Sequence, residues 1–123
     1  MTNEPTLVIA DDELLMRQLL LQTLGSQGFK VLLAEDGEQA LRLVKSHPVN
    51  LVLTDINMPN VSGLKLVEQL QESDYKDLPV ILMTADSDHF TNPELKGATI
   101  LRKPFRRREL VELINSVLGR AIT

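Results

Sequence analysis

Cysteine and tryptophan are absent from this 123-residue sequence, and its aromatic residues are one tyrosine and three phenylalanines. Without cysteine, the protein has no disulfide framework, no thiolate metal site and no cysteine nucleophile. Long hydrophobic runs are also missing, since no apolar stretch approaches the roughly 18 residues that cross a bilayer. The opening Met-Thr-Asn-Glu-Pro lacks the basic and apolar regions of a secretion signal. We therefore expect a cytoplasmic protein that does not associate with membranes.

An excess of positive charge is lacking as well. Thirteen lysines and arginines stand against seventeen aspartates and glutamates, which gives a net charge of -4. This balance does not favour nonspecific binding to a nucleic acid backbone. Hydrophobic residues make up 43% of the chain and charged residues 24%, close to the averages for globular proteins. The length predicts a single domain over residues 1–123, with an ordered core of about residues 6–119.

Short apolar runs recur along the chain at intervals that leave room for a helix between them. Each run is continuous rather than alternating, which is typical of a strand covered on both faces. The five predicted strands contain residues 7–10, 31–34, 51–54, 80–83 and 98–101. Between them, apolar residues at helical spacing predict stripes that face the core. These stripes consist of Leu15, Leu19 and Leu20; Leu41 and Val44; Leu66, Val67 and Leu70; and Leu110, Leu113, Ile114, Val117 and Leu118.

The alternation of strands and helices predicts an α/β fold, a doubly wound five-stranded parallel sheet with right-handed crossovers and helices on both faces. Residues 84–97 carry the weakest helical pattern. They include Pro93, and Asn92-Pro93-Glu94 fits the start of a helix better than its interior. We therefore expect the fourth helix, between the fourth and fifth strands, to be short or irregular.

Polar residues close four of the five predicted strands. They are Asp11 and Asp12 after the first strand, Asp55 after the third, Thr84 after the fourth and Lys103 after the fifth. Because the carboxyl ends of parallel strands meet at one edge of an open sheet, these side chains are expected to converge there. Taken singly, each has an ordinary interpretation: an aspartate can cap a helix, a threonine can end a strand and a lysine can be solvated. Their coincidence at four strand ends favours a common site.

The chemistry of these side chains is complementary. Three neighbouring carboxylates repel one another, and a hard divalent cation such as Mg2+ relieves that repulsion. A carboxylate can also attack phosphorus and form an aspartyl phosphate. Phosphoryl transfer spreads negative charge over oxygens that a cation, a hydroxyl and an ammonium group stabilise. The aspartates, the threonine and the lysine thus fit one reaction.

Four motifs follow the strands in a fixed order along the chain. They are Asp11-Asp12, Asp55 with Pro59 and Gly63 after it, Thr84-Ala85, and Lys103-Pro104-Phe105. This ordered set resembles the CheY-like receiver domain of two-component response regulators, and the resemblance covers essentially the whole chain. It implies one receiver domain with a flavodoxin-like sheet in the strand order 2-1-3-4-5.

The resemblance also implies a role for each site residue. Asp55 is then the phosphoacceptor, which takes a phosphoryl group from a histidine kinase or a histidine phosphotransfer protein. Thr84 is expected to bind a phosphoryl oxygen and Lys103 to pair with the phosphorylated site, with a cis peptide bond between Lys103 and Pro104. The implied Mg2+ ligands are the carboxylates of Asp11, Asp12 and Asp55 and the backbone carbonyl of Asn57. Such a domain is a switch rather than a metabolic enzyme, because it catalyses only its own phosphorylation and dephosphorylation.

The sequence departs from the family pattern in three places. Receivers usually carry a tyrosine or phenylalanine where this chain has Ile100, so a switch is expected to depend on Thr84 without an aromatic partner. The segment of residues 84–103 is shorter than usual, and the output face that includes the fourth helix is expected to be atypical. The last helix opens with three arginines instead of an oxygen-bearing cap residue. These are Arg106, Arg107 and Arg108.

Several alternatives stay open at this stage. Asn57 and Asp86 lie where the family tunes the dephosphorylation rate, but both residue types also favour turns. The three arginines form either a solvated surface or a contact for an acidic partner or a nucleic acid, although direct nucleic-acid binding is not expected of this domain. The alternative function is a phosphorylation-independent interaction module, which Ile100 favours and the complete acidic site opposes. A phosphatase-like enzyme ranks last, since no substrate pocket is visible in so short a chain. The effector partner is not identified.

Overall fold

A computed structural model describes residues 4–85 and 98–119 of the chain. The strands are β1 (Thr6–Ala10), β2 (Lys30–Ala34), β3 (Leu51–Asp55), β4 (Val80–Thr84) and β5 (Thr99–Arg102), and the helices are α1 (Leu14–Gly25), α2 (Gly37–Ser46), α3 (Gly63–Gln71) and α4 (Arg107–Leu118). The short or irregular helix predicted between β4 and β5 falls on residues 86–97, which lie outside the described residues. Of the helices in the described ranges, none combines the length and the apolar character needed to cross a membrane.

The five strands form one parallel sheet in the order β2-β1-β3-β4-β5, which confirms the predicted fold and strand order. Successive residues of a strand point to opposite faces of the sheet. Leu7 and Ile9 of β1 accordingly belong to a core cluster with α1 and α4, whereas Val8 and Ala10 belong to a cluster with α2 and α3. All residues of β1, β3 and β4 are buried, as the continuous apolar runs predict.

The core-facing stripe predicted on α1 is partly wrong. Leu20 is buried, but Leu15 is 79% exposed and Leu19 is 44% exposed. The residues that α1 buries include Leu20, Leu24 and Arg17. Because α1 carries leucines on several of its faces, the spacing of its hydrophobic residues does not indicate which face is buried. The stripes predicted on α2, α3 and α4 do pack against the two core clusters.

Helix α4 begins without an oxygen-bearing side chain at its N-cap, as the sequence predicts. Arg106 occupies the cap position, and its backbone N–H donates to Oε1 of Glu109 at 3.2 Å. The guanidinium of Arg108 pairs with Glu112 at 2.9 Å, one helical turn further on. These two acids offset part of the unfavourable interaction between the cations and the helix dipole.

Candidate functional site

The carboxyl ends of the strands bring the predicted site residues to one edge of the sheet. Asp55 is the last residue of β3 and Thr84 the last of β4, while Asp11 follows β1 and Lys103 follows β5. One carboxylate oxygen each from Asp11, Asp12 and Asp55 lies within 4.8 Å of the others. Asp11 and Asp55 are buried, whereas Asp12 is exposed. Three carboxylates at this spacing could hold a metal ion at the boundary between core and solvent.

One carboxylate oxygen of Asp11 has no hydrogen-bond partner among the residues that the structure describes. Its Oδ1 accepts the backbone N–H of Glu13 at 2.9 Å, so Asp11 does support the chain just before α1. Its Oδ2 is buried, and no hydrogen bond from the residues that the structure describes reaches it. A buried acceptor without a partner costs free energy that a bound cation would recover. The donor set therefore fits a hard metal ion better than a helix cap alone.

The backbone around Asp11 is held by contacts that the sequence analysis missed. The guanidinium of Arg17 donates to the carbonyl oxygen of Asp11 at 2.8 Å and lies 3.6 Å from the carboxylate of Glu35. The N–H of Asp11 donates to the carbonyl of Ala34 at 3.1 Å. A signal was present in the sequence, because Arg17 lies three residues before Leu20 and so shares its face of α1. The side chain of Arg17 is thus buried against the end of β1, which it helps to hold in place, and does not lie on the solvent face of α1.

Burial raises the pKa of the Asp11 carboxyl above its usual range, and the negative charge of Asp55 raises it further. The N–H of Glu13 and the ammonium group of Lys103 act in the opposite direction but do not cancel the effect. The ionised form of Asp11 is therefore more costly in the folded protein than in the unfolded chain. A raised pKa of this kind is typical of a carboxylate in a binding site for a cation.

We expect Asp11→Asn to stabilise the metal-free protein at neutral pH. Because the pKa of Asp11 is raised on folding, stability falls as the pH rises through the interval between the unfolded and the folded pKa, and the penalty persists above that interval. Removing the charge should raise the melting temperature in EDTA by about 3–5 °C, equivalent to about 1 kcal/mol in a domain of this size. The same variant should lose any increase in melting temperature on adding Mg2+. Exposed Asp12 is the matched control: Asp12→Asn should change metal-free stability much less, and equal effects in EDTA would contradict the assignment.

Lys103 reaches across the sheet edge to Asp55. Its Nζ donates to Oδ2 of Asp55 at 3.1 Å, and the two side chains are 21% and 10% exposed. Its backbone N–H donates to the carbonyl of Thr84 at 2.8 Å, and the Lys103–Pro104 peptide bond is cis. These contacts place an ammonium group and the end of β4 beside the same carboxylate.

The remaining predicted residues are distributed around this centre. Thr84 is buried at the end of β4, in the strand next to Asp55. Asn57 is exposed on the segment that follows β3, and Ile100 is half-buried on β5 against the core cluster of α2 and α3. The predicted tuning residue Asp86 lies outside the described residues. The structure thus brings Asp11, Asp12, Asp55 and Lys103 into one cluster, with Thr84 on the adjoining strand end.

Residues 56–62, here called the site loop, follow β3 and are tightly packed at their base. The N–H of Gly63 donates to the carbonyl of Ile56 at 2.9 Å. A Cβ atom on Gly63 would overlap the carbonyl oxygen of Asp55 and lie 2.9 Å from Cα of Ile56. The hydroxyl of Thr54 donates to the same carbonyl oxygen of Asp55 at 2.9 Å. Gly63 is therefore required for the close approach of α3 to the backbone of Asp55.

An open, mostly apolar groove of about 390 Å3 is lined by residues of α1 and α4 and by Lys103. Its lining includes Leu19 of α1, Arg107 of α4, and Phe105, which precedes α4. All three arginines at the start of α4 are exposed. Both interpretations of that cluster, solvated surface and partner contact, therefore remain predictions.

Comparison with known proteins places these features in a family. Response regulator GtcR of Aneurinibacillus migulanus is 39% identical over 119 residues, which cover 94% of this chain and 48% of that protein. Transcriptional regulatory protein CpxR of Escherichia coli (strain K12) is 36% identical over 118 residues, which cover 94% of this chain and 50% of CpxR. The chain thus spans about half the length of these curated relatives.

Solved structures match over nearly the whole chain. The chemotaxis response regulator CheY4 of Vibrio cholerae has a TM-score of 0.86 at 28% identity, covering 94% of this chain and 99% of its own. The response regulator TrrA from Thermotoga maritima, in complex with Mg(2+)-BeF, has a TM-score of 0.86 at 32% identity, covering 92% and 98%. The family model for the response regulator receiver domain matches residues 7–115. The chain therefore belongs to the response regulator receiver domains, which are signalling domains of two-component systems.

Proposed function

We propose that this receiver domain accepts a phosphoryl group on Asp55 in a Mg2+-dependent reaction and thereby changes its interactions with a partner. The phosphodonor is a histidine kinase or a histidine phosphotransfer protein, and the location is cytoplasmic. The observation that carries the proposal is the environment of Asp55: carboxylate oxygens of Asp11 and Asp12 within 4.8 Å and the ammonium of Lys103 at 3.1 Å. This arrangement suits a reaction that brings a metal ion and a phosphoryl group to one carboxylate.

The carboxylates of Asp11, Asp12 and Asp55 and the backbone carbonyl of Asn57 would hold the Mg2+ ion. Support comes from the buried Oδ2 of Asp11, which has no partner in the described part of the chain, and from the preference of Mg2+ for oxygen ligands. The structure of TrrA, which contains Mg(2+)-BeF, supports the choice of metal by analogy. When bound, Mg2+ would neutralise charge on the phosphoryl oxygens during transfer.

The chemical step is a displacement at phosphorus. A carboxylate oxygen of Asp55 forms the new O–P bond while the bond between phosphorus and the donor's imidazole nitrogen breaks, and the electron pair leaves with the nitrogen. The ammonium group of Lys103 and the hydroxyl of Thr84 donate hydrogen bonds to the phosphoryl oxygens. Attack by water transfers the phosphoryl group to water, releases inorganic phosphate and returns Asp55 to its carboxylate, and Asn57 and Asp86 are proposed to tune that rate. The domain thus modifies itself and turns over no external metabolite.

The structural response is proposed to begin at Thr84. Its hydroxyl would move toward the phosphoryl group, and half-buried Ile100 would take the place of the aromatic residue that many receivers use. The effector is proposed only as a protein partner. Several relatives are named transcriptional regulators, which supports gene regulation as the output of the signal. Direct DNA contact is not assigned to this chain, whose net charge is -4.

Intact-mass measurement after incubation with Mg2+ and acetyl phosphate tests the proposal. The parent protein should gain one phosphoryl group, and neither the parent in EDTA nor Asp55→Asn should gain any. Asp74→Asn, which changes an exposed aspartate in the turn after α3, should react like the parent. If the parent binds Mg2+ yet gains no mass, the phosphorylation-independent interaction module becomes the better description.

A further inference from the structure

The tip of the site loop is bonded to the first turn of α2, on a neighbouring part of the fold. The side-chain amide of Asn60 donates to Oε2 of Glu38 at 2.7 Å and to Oδ2 of Asp36 at 3.3 Å. Asn60 has a φ of 66°, in the left-handed region that asparagine tolerates better than most residues. One amide group therefore joins a strained loop residue to two carboxylates of another element.

The backbones of the two elements are also in close contact. The N–H of Gly37, at the start of α2, donates to the carbonyl of Val61 at 2.9 Å. A Cβ atom on Gly37 would lie 2.6 Å from Cγ1 of Val61 and 2.7 Å from its carbonyl oxygen. Any side chain at position 37 would therefore push the site loop away from α2.

Asp36 connects the loop to the helix. Its Oδ1 accepts the N–H of Gln39 at 2.9 Å, which makes Asp36 the N-cap of α2, while its Oδ2 faces Asn60. The N–H of Gln39 and, to a lesser degree, the amide of Asn60 lower the pKa of Asp36. Asp36 therefore remains a carboxylate, and α2 is already capped without Asn60. The bonds of Asn60 contribute to the position of the loop rather than to the start of the helix.

The site loop is held at its base and at its tip, and Asn57 lies between these two points along the chain. At the base, the N–H of Ile56 donates to the carbonyl of Met83 at 3.2 Å, and Gly63 is bonded to Ile56. At the tip, α2 holds Asn60 and Val61. A displacement of the tip therefore changes where the backbone of Asn57 sits relative to Asp55.

We propose that Asn60 and Gly37 are positioning residues, through which the first turn of α2 sets the site loop and thereby the affinity of the acidic site for a divalent cation. This inference rests on the proposed function, because it takes the carbonyl of Asn57 as a metal ligand. Neither Asn60 nor Gly37 is itself a proposed ligand. Partners that orient metal ligands commonly change metal affinity about tenfold or more when they are removed.

Reversal of the donor and acceptor tests the side-chain bond. Mg2+ titration by calorimetry would compare the parent, Asn60→Asp, Glu38→Gln and the double variant. Asn60→Asp places a third carboxylate against Asp36 and Glu38, and we expect the Mg2+ affinity to fall about tenfold. The double variant has the net charge of the parent and an amide donor restored at position 38, so most of the affinity should return. Glu38→Gln keeps an acceptor for Asn60 and should bind Mg2+ nearly as the parent does.

If only charge matters, Asn60→Asp should raise the Mg2+ affinity instead of lowering it, because an added negative charge near the site would strengthen Mg2+ binding. Tighter binding by Asn60→Asp, or no recovery in the double variant, would overturn the inference. Melting temperatures in EDTA show whether each variant is folded at the titration temperature. A parent that binds no Mg2+ would refute the proposed metal site itself, which is a distinguishable failure that removes this inference too.

A glycine pair tests the backbone contact. Gly37→Ala should weaken Mg2+ binding about tenfold in protein that is still folded at the titration temperature. Gly25→Ala is the matched control, since a Cβ there meets no atom of the described residues within 4 Å and Gly25 ends α1, far along the chain from the loop. Equal Mg2+ affinities for the two variants and the parent would contradict a role for α2 in positioning the site loop.

Discussion

Lys103→Met is expected to slow phosphorylation of Asp55 about 100-fold, in line with the loss of one preorganised charge donor at a reacting centre. The ammonium of Lys103 lies 3.1 Å from Oδ2 of Asp55 and is mostly buried, so solvent and salt screen its charge only weakly. Methionine keeps most of the length and apolar body of the lysine side chain. The loss should therefore reflect the charge rather than the packing.

The same substitution should raise the affinity for Mg2+, so the rate of phosphorylation and the metal affinity are expected to change in opposite directions. Two unit charges about 4 Å apart exchange about 1 kcal/mol in bulk water, and burial strengthens the interaction, so the gain in Mg2+ affinity should be about fivefold or more. Slower phosphorylation together with tighter Mg2+ binding separates loss of a catalytic charge from general damage to the site, which would weaken both.

Time courses of intact mass at saturating Mg2+, with acetyl phosphate as donor, measure the rate, and calorimetric titration measures Mg2+ binding. Lys65→Met is the matched control, because its ammonium lies on the exposed face of α3 and pairs only with Glu68 at 3.7 Å among the interactions described. An exposed pair of this kind contributes little to stability. A phosphorylation rate for Lys103→Met equal to that of Lys65→Met would show that Lys103 has no part in the reaction.

Gly63→Ala is expected to cost about 3 kcal/mol of folding stability, at the upper end of overpacking effects. The added Cβ would overlap the carbonyl oxygen of Asp55 and crowd Cα of Ile56, and both obstacles are backbone atoms that cannot rotate away. Relief requires α3 to move off β3, which would stretch the bond between Gly63 and Ile56. Because the overlap displaces the backbone of Asp55, the rate of phosphorylation should fall along with the stability.

Thermal unfolding and acetyl phosphate labelling would be measured on the same preparation. The melting temperature should fall by about 10 °C for a domain of this size. Gly25→Ala provides the reference, since its Cβ meets no atom within 4 Å in the part of the chain that the structure describes, and alanine has a higher helix propensity than glycine. Equal melting temperatures for the two alanine variants would mean that α3 does not depend on the close approach to Asp55.

The strands of the sheet were predictable because the information is local and repeated, whereas their order within the sheet was implied by the resemblance to receiver domains. Each central strand is a continuous apolar run, and such runs mark strands buried on both faces wherever they occur. The prediction of the buried face of α1 was less successful, because it relied on the same local pattern and that pattern is weak in this helix. Leucines on several sides of that helix remove the contrast between faces, so Leu15 and Leu19 were placed toward the core although the structure exposes them.

The membership of the candidate site was also predictable, because parallel strands end at one edge. That rule placed Asp11, Asp55 and Lys103 together without any knowledge of distances. It gave no indication of Arg17 beneath Asp11 or of Asn60 bonded to α2. These contacts join residues whose meeting depends on how helices pack, and local propensity does not encode it.

By itself, the sequence determined the order of strands and helices and the chemical groups that meet at the strand ends. It did so because hydrophobic spacing and strand polarity act on neighbouring residues and on every element alike. The tertiary structure alone decided that Asp11 is buried with one oxygen that no described residue contacts by a hydrogen bond, that Lys103 contacts Asp55, and that α2 holds the site loop. Burial and hydrogen bonding between distant residues follow from close packing of the whole domain, in which the position of each side chain depends on all of its neighbours.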